Sequence, residues 1–418
     1  MRLLSKITSF AALISLCSCV DTTAPETSAF PYTVTEATPN RSDLSESTKR
    51  AFNDYLAYRA EDNPLYTNFK YTRIEGLEYP DDGTVTRRDP SKVIKVDSKY
   101  YMWYTKRDTK YPPIGAKNAA QATDEIPSTD WDLSDIWYAT SIDGFTWKEQ
   151  GCAVARPAAP EAGFRSISTP DILVWKGKYY LYYQAFSEPS GLKGDYCPVS
   201  MAWAESPDGP WHYHKGEVIS RGEEGEWNQF AIHDPYPLVH NGEIYIYYKS
   251  AFNRPHKLWV GQGLVTGTNP EGPFTHHPNN PLLTSGHEVS GFPFKGGLAT
   301  FQTSDGQERN TIQYAEDWVN FRIAAIVDFP PVAAAPYCAD AFTNTTDGVG
   351  IEWGVCHFVN AGDSKIKHSE IARFDCSLVQ NIDDSSFQST RLYLDDDVYY
   401  SRSLPQSVKK QRVIKAKQ

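Results

Sequence analysis

The feature that most limits what this chain can fold into is a repeated unit that begins with an acidic residue. Asp89-Pro90-Ser91-Lys92-Val93-Ile94 leads to Lys99-Tyr100-Tyr101-Met102-Trp103-Tyr104, and Pro170-Asp171-Ile172-Leu173 leads to Lys178-Tyr179-Tyr180-Leu181-Tyr182-Tyr183. Asp234-Pro235-Tyr236-Pro237-Leu238 leads to Glu243-Ile244-Tyr245-Ile246-Tyr247-Tyr248, and Glu288 to Phe294 gives a degenerate copy. Each copy reads as an acid, a strand, a Gly-or-Asp turn and an aromatic strand. A second signature follows each: Ile136-Trp137-Tyr138-Ala139 before Asp143-Gly144, Met201-Ala202-Trp203-Ala204 before Asp208-Gly209, Gly263-Leu264-Val265 before Glu271-Gly272, and Ile312-Gln313-Tyr314-Ala315 before Trp318. The leading acids stand at 89, 171, 234 and 288, so each unit has room for four short strands. Asp340, near Trp353-Gly354-Val355, opens a fifth. Radial repetition of four-stranded units is the pattern of a β-propeller, whereas a β-sandwich gives no reason for acids to recur in phase. The expected fold is all-β, a five-bladed β-propeller over residues 71–380, with a short helical N-terminal segment over 42–70 and an extension over 381–418.

The ends of the chain read differently. Arg2 and Lys6 flank an apolar stretch from Phe10 to Leu16 that is too short to span a bilayer, as in a signal peptide over residues 1–18. Leu16-Cys17-Ser18-Cys19 resembles a lipobox, with Cys19 the lipidated residue after cleavage, and residues 19–41 suit a flexible tether. The chain is therefore expected to be exported as a periplasmic or outer-membrane-tethered lipoprotein, touching membrane only through that anchor. Asp43 with Glu46 forms a capping box, and Phe52, Tyr55 and Leu56 continue at helical spacing. The basic tail from Ser401 to Gln418 reads as a solvated end. A net charge of −11 argues against a nucleic-acid partner. Cys152, Cys197, Cys338, Cys356 and Cys376 are odd in number and scattered, which argues against a disulfide scaffold or a Cys-based zinc site.

In a propeller the innermost strand of every blade lines the central channel, so Asp89, Asp171, Asp234 and Glu288 are expected to converge there. Carboxylates held together shift one another's pKa and can divide into a base and an acid, the division that glycoside hydrolysis needs. His233 and His287 adjoin Asp234 and Glu288, and a bulge would let both members of a pair face the channel. His287 is as credible a proton donor as Glu288. The chain carries no phosphate-cradling Gly-rich loop and no Gly-x-Ser-x-Gly elbow.

At these motifs the chain resembles glycoside hydrolase family 117. The runs that carry the likeness are Gly83-Thr84-Val85-Thr86-Arg87-Arg88-Asp89-Pro90-Ser91, Pro127-Ser128-Thr129-Asp130-Trp131-Asp132-Leu133, Ile232-His233-Asp234-Pro235-Tyr236-Pro237-Leu238-Val239 and Ser285-Gly286-His287-Glu288, within a match from about Leu65 to Asp395. The resemblance implies an inverting exo-enzyme that releases 3,6-anhydro-L-galactose from neoagaro-oligosaccharides by cleaving α-1,3 bonds, and a homodimer made through the N-terminal segment. It implies Asp89 as general base, Asp234 as pKa modulator and sugar ligand, and His287 as general acid with Glu288 its neighbour or rival. It places Arg88, Trp131, Thr169, Asp171, Gln184 and His233 at the oligosaccharide substrate. No cofactor is required, while a divalent cation near the pocket is compatible with the family. Gly291 stands where bulkier residues are expected, which would widen a subsite or move the strand. The competing readings are a propeller glycosidase for another anhydro-sugar, an arabinofuranoside, a xyloside or a carrageenan-derived unit, and a non-catalytic carbohydrate-binding propeller.

Overall fold

The computed structural model describes residues 44–52, 64–80, 82–192, 195–251, 260–306, 308–343, 348–361, 368–379 and 393–394. The leader, Cys19, the tether, Asp43, Tyr55, Leu56 and the basic tail lie outside the described residues. The strands form five sheets, the blades of a propeller. Blade 1 holds Val85–Arg88, Ile94–Val96, Lys99–Asp108, Ser134–Ser141 and Lys148–Val154; blade 2 holds Ser166–Trp175, Lys178–Phe186, Val199–Ala204 and His212–Tyr213. Blade 3 holds His233–His240, Glu243–Ala251, Val260–Gly267 and Thr275–His276; blade 4 holds Gly291–Phe294, Gly297–Gln302, Thr311–Ala315 and Arg322–Ile326.

Blade 5 closes the ring with strand Lys70–Arg73, which pairs antiparallel with His368–Val379 outside Ala335–Pro336 and Gly350–Ala361. A strand from the start of the fold thus completes the last blade, and Tyr393–Leu394, in what reads as an extension, adds to the same edge in parallel. The turns inside blades 2, 3 and 4 explain the sequence pattern. Lys176-Gly177, Asn241-Gly242 and Lys295-Gly296 all have positive φ, as a two-residue hairpin of matching twist demands. The helix Glu46–Phe52 confirms a helical start. It docks on blade 4, where the Arg50 guanidinium reaches Glu308 at 2.7 Å, and the Glu308 side chain is fully buried.

Five residues at the head of the inner strands are left-handed: Asp89, Thr169, Asp234, Glu288 and Ala333, with φ from 48° to 62°. Non-glycine residues avoid this region at a cost of about 1–2 kcal/mol each, so its recurrence once per blade marks a structural requirement of the channel mouth. The kink bulges the strand and turns consecutive side chains toward the axis, as the register shifts at Ser168/Asp171 and His233/Tyr236 record.

This equivalence corrects two expectations. In blade 2 the position matching Asp89 is Thr169, and Asp171 lies two residues further along. Two residues preserve the face of a strand, so Asp171 still points inward, but one layer deeper, where its carboxylate pairs with Lys92 Nζ at 3.0 Å. In blade 5 the position is Ala333. Asp340 instead caps its own loop, accepting from Cys338 Sγ and the Val349 amide. The ring of Phe342 packs against three of the hydrophobic clusters between blades. None of the five described cysteines forms a disulfide.

Candidate active site

The second strand of each blade supplies a partner for the kinked residue. Thr105 is in register with Arg88, Gln184 with Ser168 and Lys249 with His233; backbone hydrogen bonds join His287 to Thr303 and His357 to Val332. In blades 1 to 3 this partner is the first residue after the aromatic run, Tyr104-Thr105, Tyr183-Gln184 and Tyr248-Lys249. Of these only Gln184 is named by the sequence reading. Thr105, Lys249 and His357 are missed, although for Thr105 and Lys249 the place after the aromatic run was a usable signal.

Asp89 lies at the centre. Its Oδ2 accepts from Arg88 Nε at 2.8 Å and from the hydroxyls of Thr105 and Thr169, each at 3.3 Å. His357 Nδ1 is 3.1 Å from both the Asp89 amide nitrogen and Oδ1. The amide can only donate, so Nδ1 is the acceptor and the contact with Oδ1 is not a hydrogen bond. The ring proton then falls on Nε2, which lies 3.7 Å from Glu288 Oε2. Burial lowers the proton affinity of His357 and favours this neutral form. Burial also works against charge on Asp89, but the Arg88 guanidinium, which faces and hydrogen-bonds it, outweighs that and holds the carboxyl far below the usual carboxylate range.

Glu288 goes the other way. Burial, then the charge of Asp89, then that of Asp234 raise its pKa well above the ordinary value, against the pull of Arg88 at 3.4 Å. Two buried carboxyl groups share one guanidinium, so charge is favoured on Asp89 and Glu288 holds its proton more tightly than an ordinary carboxyl. His287 Nε2 is 3.7 Å from Glu288 Oε1, so the left-handed kink at Glu288 does bring both members of that pair to the pocket.

The remaining expected residues surround this core. The Arg88 guanidinium stacks over the half-buried Trp131 ring at 4.8 Å, on a loop held by the buried pair Arg165–Asp132. Gln184 Oε1 accepts from the Asp234 amide at 3.2 Å, and Lys249 Nζ is 4.0 Å from Asp234 Oδ2. His233 uses its Nε2 on the main-chain oxygen of Asp195 at 2.8 Å, which fixes its ring at the rim. Asp171 is not among them; it is buried beneath. Gly291 does not widen a subsite either, since a Cβ there would come within 2.9 Å of the Ala299 carbonyl oxygen; close strand pairing demands the glycine.

Asp89, Glu288 and His357 bring one ligand atom each within 4.8 Å of one another. Asp89 Oδ1 and Glu288 Oε2 are buried without a hydrogen-bond partner, so these hard oxygens fit a divalent ion, with the imidazole joining them only once its proton has left Nε2.

Against known proteins, the solved structure of Zg3597, a family 117 glycoside hydrolase from the marine bacterium Zobellia galactanivorans, is 57% identical over 82% of this chain and 100% of its own, with a TM-score of 0.76. The chain belongs to glycoside hydrolase family 117. The model of glycosyl hydrolases family 43 also matches residues 85–264. More distant structures share the fold: a glycoside hydrolase at 11% identity (TM-score 0.52, 79% of this chain and 95% of that one) and the BT0996 RGII complex at 12% (TM-score 0.53, 80% and 96%). No curated protein sequence matches.

Proposed function

We propose that this family 117 hydrolase is an exo-acting inverting enzyme that removes terminal 3,6-anhydro-L-galactose from neoagaro-oligosaccharides by cleaving the α-1,3 bond. The observation that carries the reading is the Asp89 carboxylate, held ionised beneath the pocket with its Oδ1 left without a hydrogen-bond partner. An inverting pair needs its two carboxyl groups about 6.5–9.5 Å apart so that water fits between them. Asp89 and Glu288 approach within 4.8 Å, too close for that division. The acid is then His287, which reaches the pocket through Nε2, and Asp89 is the base. Asp234 binds the sugar ring, and Glu288, protonated, acts as a donor beside His287. Arg88, Trp131, Thr169, Gln184 and His233 frame the sugar, while Asp171 has only the deeper role.

A divalent ion in this pocket would be held by Asp89, Glu288 and His357 and would stabilise negative charge there; the steps above use only the chain's own groups. Export as a lipoprotein acylated at Cys19, and dimerisation through residues 42–70, belong to the same reading. Metabolic labelling with a fatty acid, with and without Cys19→Ser, tests the first, and sedimentation of a variant lacking residues 1–63 tests the second.

The deciding experiment incubates the protein with neoagarobiose and neoagarohexaose and follows the anomeric signals by NMR, with Asp89→Asn as control. Release of 3,6-anhydro-L-galactose by the wild type alone supports both the reaction and the base. Intact oligosaccharides with a folded protein overturn the agar assignment.

A further inference from the structure

Two groups compete for one nitrogen of His287. Asp305 Oδ2 lies 2.6 Å from Nδ1, and Lys249 Nζ lies 3.0 Å from the same atom. A ring nitrogen that carries a proton can donate to the carboxylate but cannot accept from the ammonium; without the proton, the reverse holds. Both bonds cannot exist together. The Asp305 contact, at 2.6 Å, is too short for a bare nitrogen lone pair facing a carboxylate oxygen, so a proton lies between the two atoms. Lys249 then has Asp234, 4.0 Å away, as its acid on the other side.

Asp305 is held in place by more than this contact. Its loop is sewn onto the segment that carries His287: the Gly286 amide donates to the Asp305 carbonyl at 2.9 Å, and the His287 amide to Thr303 at 2.8 Å. The Thr303 hydroxyl returns to the His287 carbonyl at 3.1 Å. Ser304 and Gly306 are left-handed, and a Cβ on Gly306 would meet Ser285 at 2.5 Å, so glycine permits the close approach.

We propose that Asp305 is the positioning residue of His287: it keeps the ring proton on Nδ1, so that Nε2, the nitrogen facing Glu288, is the one that exchanges protons with the pocket. Lys249 is the opposing group, which draws the neutral ring into the other tautomer. The kinetic consequence rests on the reading of His287 as general acid; the tautomer does not. In the proton-transfer step the Nε2–H bond breaks and an O–H bond forms on the leaving oxygen, which takes the electron pair of the broken C–O bond. The ring is left neutral with its proton on Nδ1, and Asp305 stays ionised. Without Asp305 the neutral ring holds its proton on Nε2 against Lys249, and losing it would leave an imidazolate.

The test is the tautomer of His287 in the ligand-free full chain, read from ring nitrogen shifts of ¹⁵N-histidine-labelled protein at a pH where the ring is neutral, with the signal assigned by His287→Gln. The wild type is expected to carry the proton on Nδ1, Asp305→Ala to move it to Nε2, Asp305→Glu to restore it, and Asp305→Ala/Lys249→Met to lose the preference. A wild type protonated on Nε2, or Asp305→Ala still protonated on Nδ1, overturns the proposal. On any substrate the wild type cleaves, Asp305→Ala is expected to lower kcat by about 10²–10⁴-fold with KM little changed, and Asp305→Glu to recover part of it. A wild type inactive on neoagaro-oligosaccharides sinks the functional reading alone, because the tautomer still decides this one.

Discussion

Two buried charge clusters occupy the same channel, three residues apart along the segment that joins Val85–Arg88 to Ile94–Val96, and they are matched very differently. The deeper one has one cation and one acid. Lys92 and Asp171 pair at 3.0 Å with side chains 1% and 7% exposed, Asp171 Oδ1 also receives the amides of Lys92 and Ile172, and the ammonium sits 3.7 Å over the Tyr236 ring. Burial shifts both toward neutrality, lowering Lys92 and raising Asp171, and each opposes the shift in the other. The cluster at the mouth gives Arg88 two carboxyl groups to satisfy, and one oxygen of each has no hydrogen-bond partner, whereas below only Lys92 Nζ lacks one and it is ion-paired at 3.0 Å. A balanced pair packs and does no chemistry. An unbalanced one keeps a proton on one acid, a charge on the other, and unsatisfied oxygens for a ligand.

Breaking the two clusters should therefore produce different symptoms. Asp89→Asn is expected to cut kcat by about 10²–10⁴-fold while thermal unfolding barely moves, measured on the substrate identified above. Lys92→Met should instead destabilise by about 3–5 kcal/mol in denaturant titrations, because it leaves Asp171 charged and buried; adding Asp171→Leu should recover much of the loss. If Lys92→Met unfolds at the wild-type midpoint, the deeper pair is not a structural element of the channel.

Glu288→Gln sharpens the contrast through pH. A carboxyl whose pKa is raised on folding supports the fold fully below its unfolded value, near 4.3, and that contribution is lost as pH rises through the folded value. Wild-type stability should thus fall relative to Glu288→Gln as pH rises above about 4.3; parallel stability–pH curves would contradict a protonated Glu288. The smallest effect belongs to Trp131→Ala at the rim, which should raise KM about fivefold, or about 1 kcal/mol, with kcat nearly intact.

The blades were legible because their signals are local. Alternation, aromatic runs and Asn-Gly or Lys-Gly turns report strands and hairpins within ten residues of chain, and Asp89, Asp234 and Glu288 stand out in their motifs. Asp171 misled because Pro170 puts Thr169, not the acid, at the kink, and a two-residue offset leaves no trace in composition. His357 was hidden in a strand whose blade has Ala333 in place of an acid. Asp305, on a loop of blade 4, and Lys249, on a strand of blade 3, reach His287 from different blades, so their spacing along the chain carries no information.

What the sequence determined by itself is the repeat, the number of blades and three of the acids at the mouth, since short-range propensity and strand periodicity are written into neighbouring residues. Tertiary structure alone decided which strand closes the ring, which acid pairs with Lys92 below, and which groups set the protons on His287 and His357. Those outcomes depend on distances of a few ångströms between segments up to about 270 residues apart, such as Asp89 and His357, and on the burial that folding imposes on them.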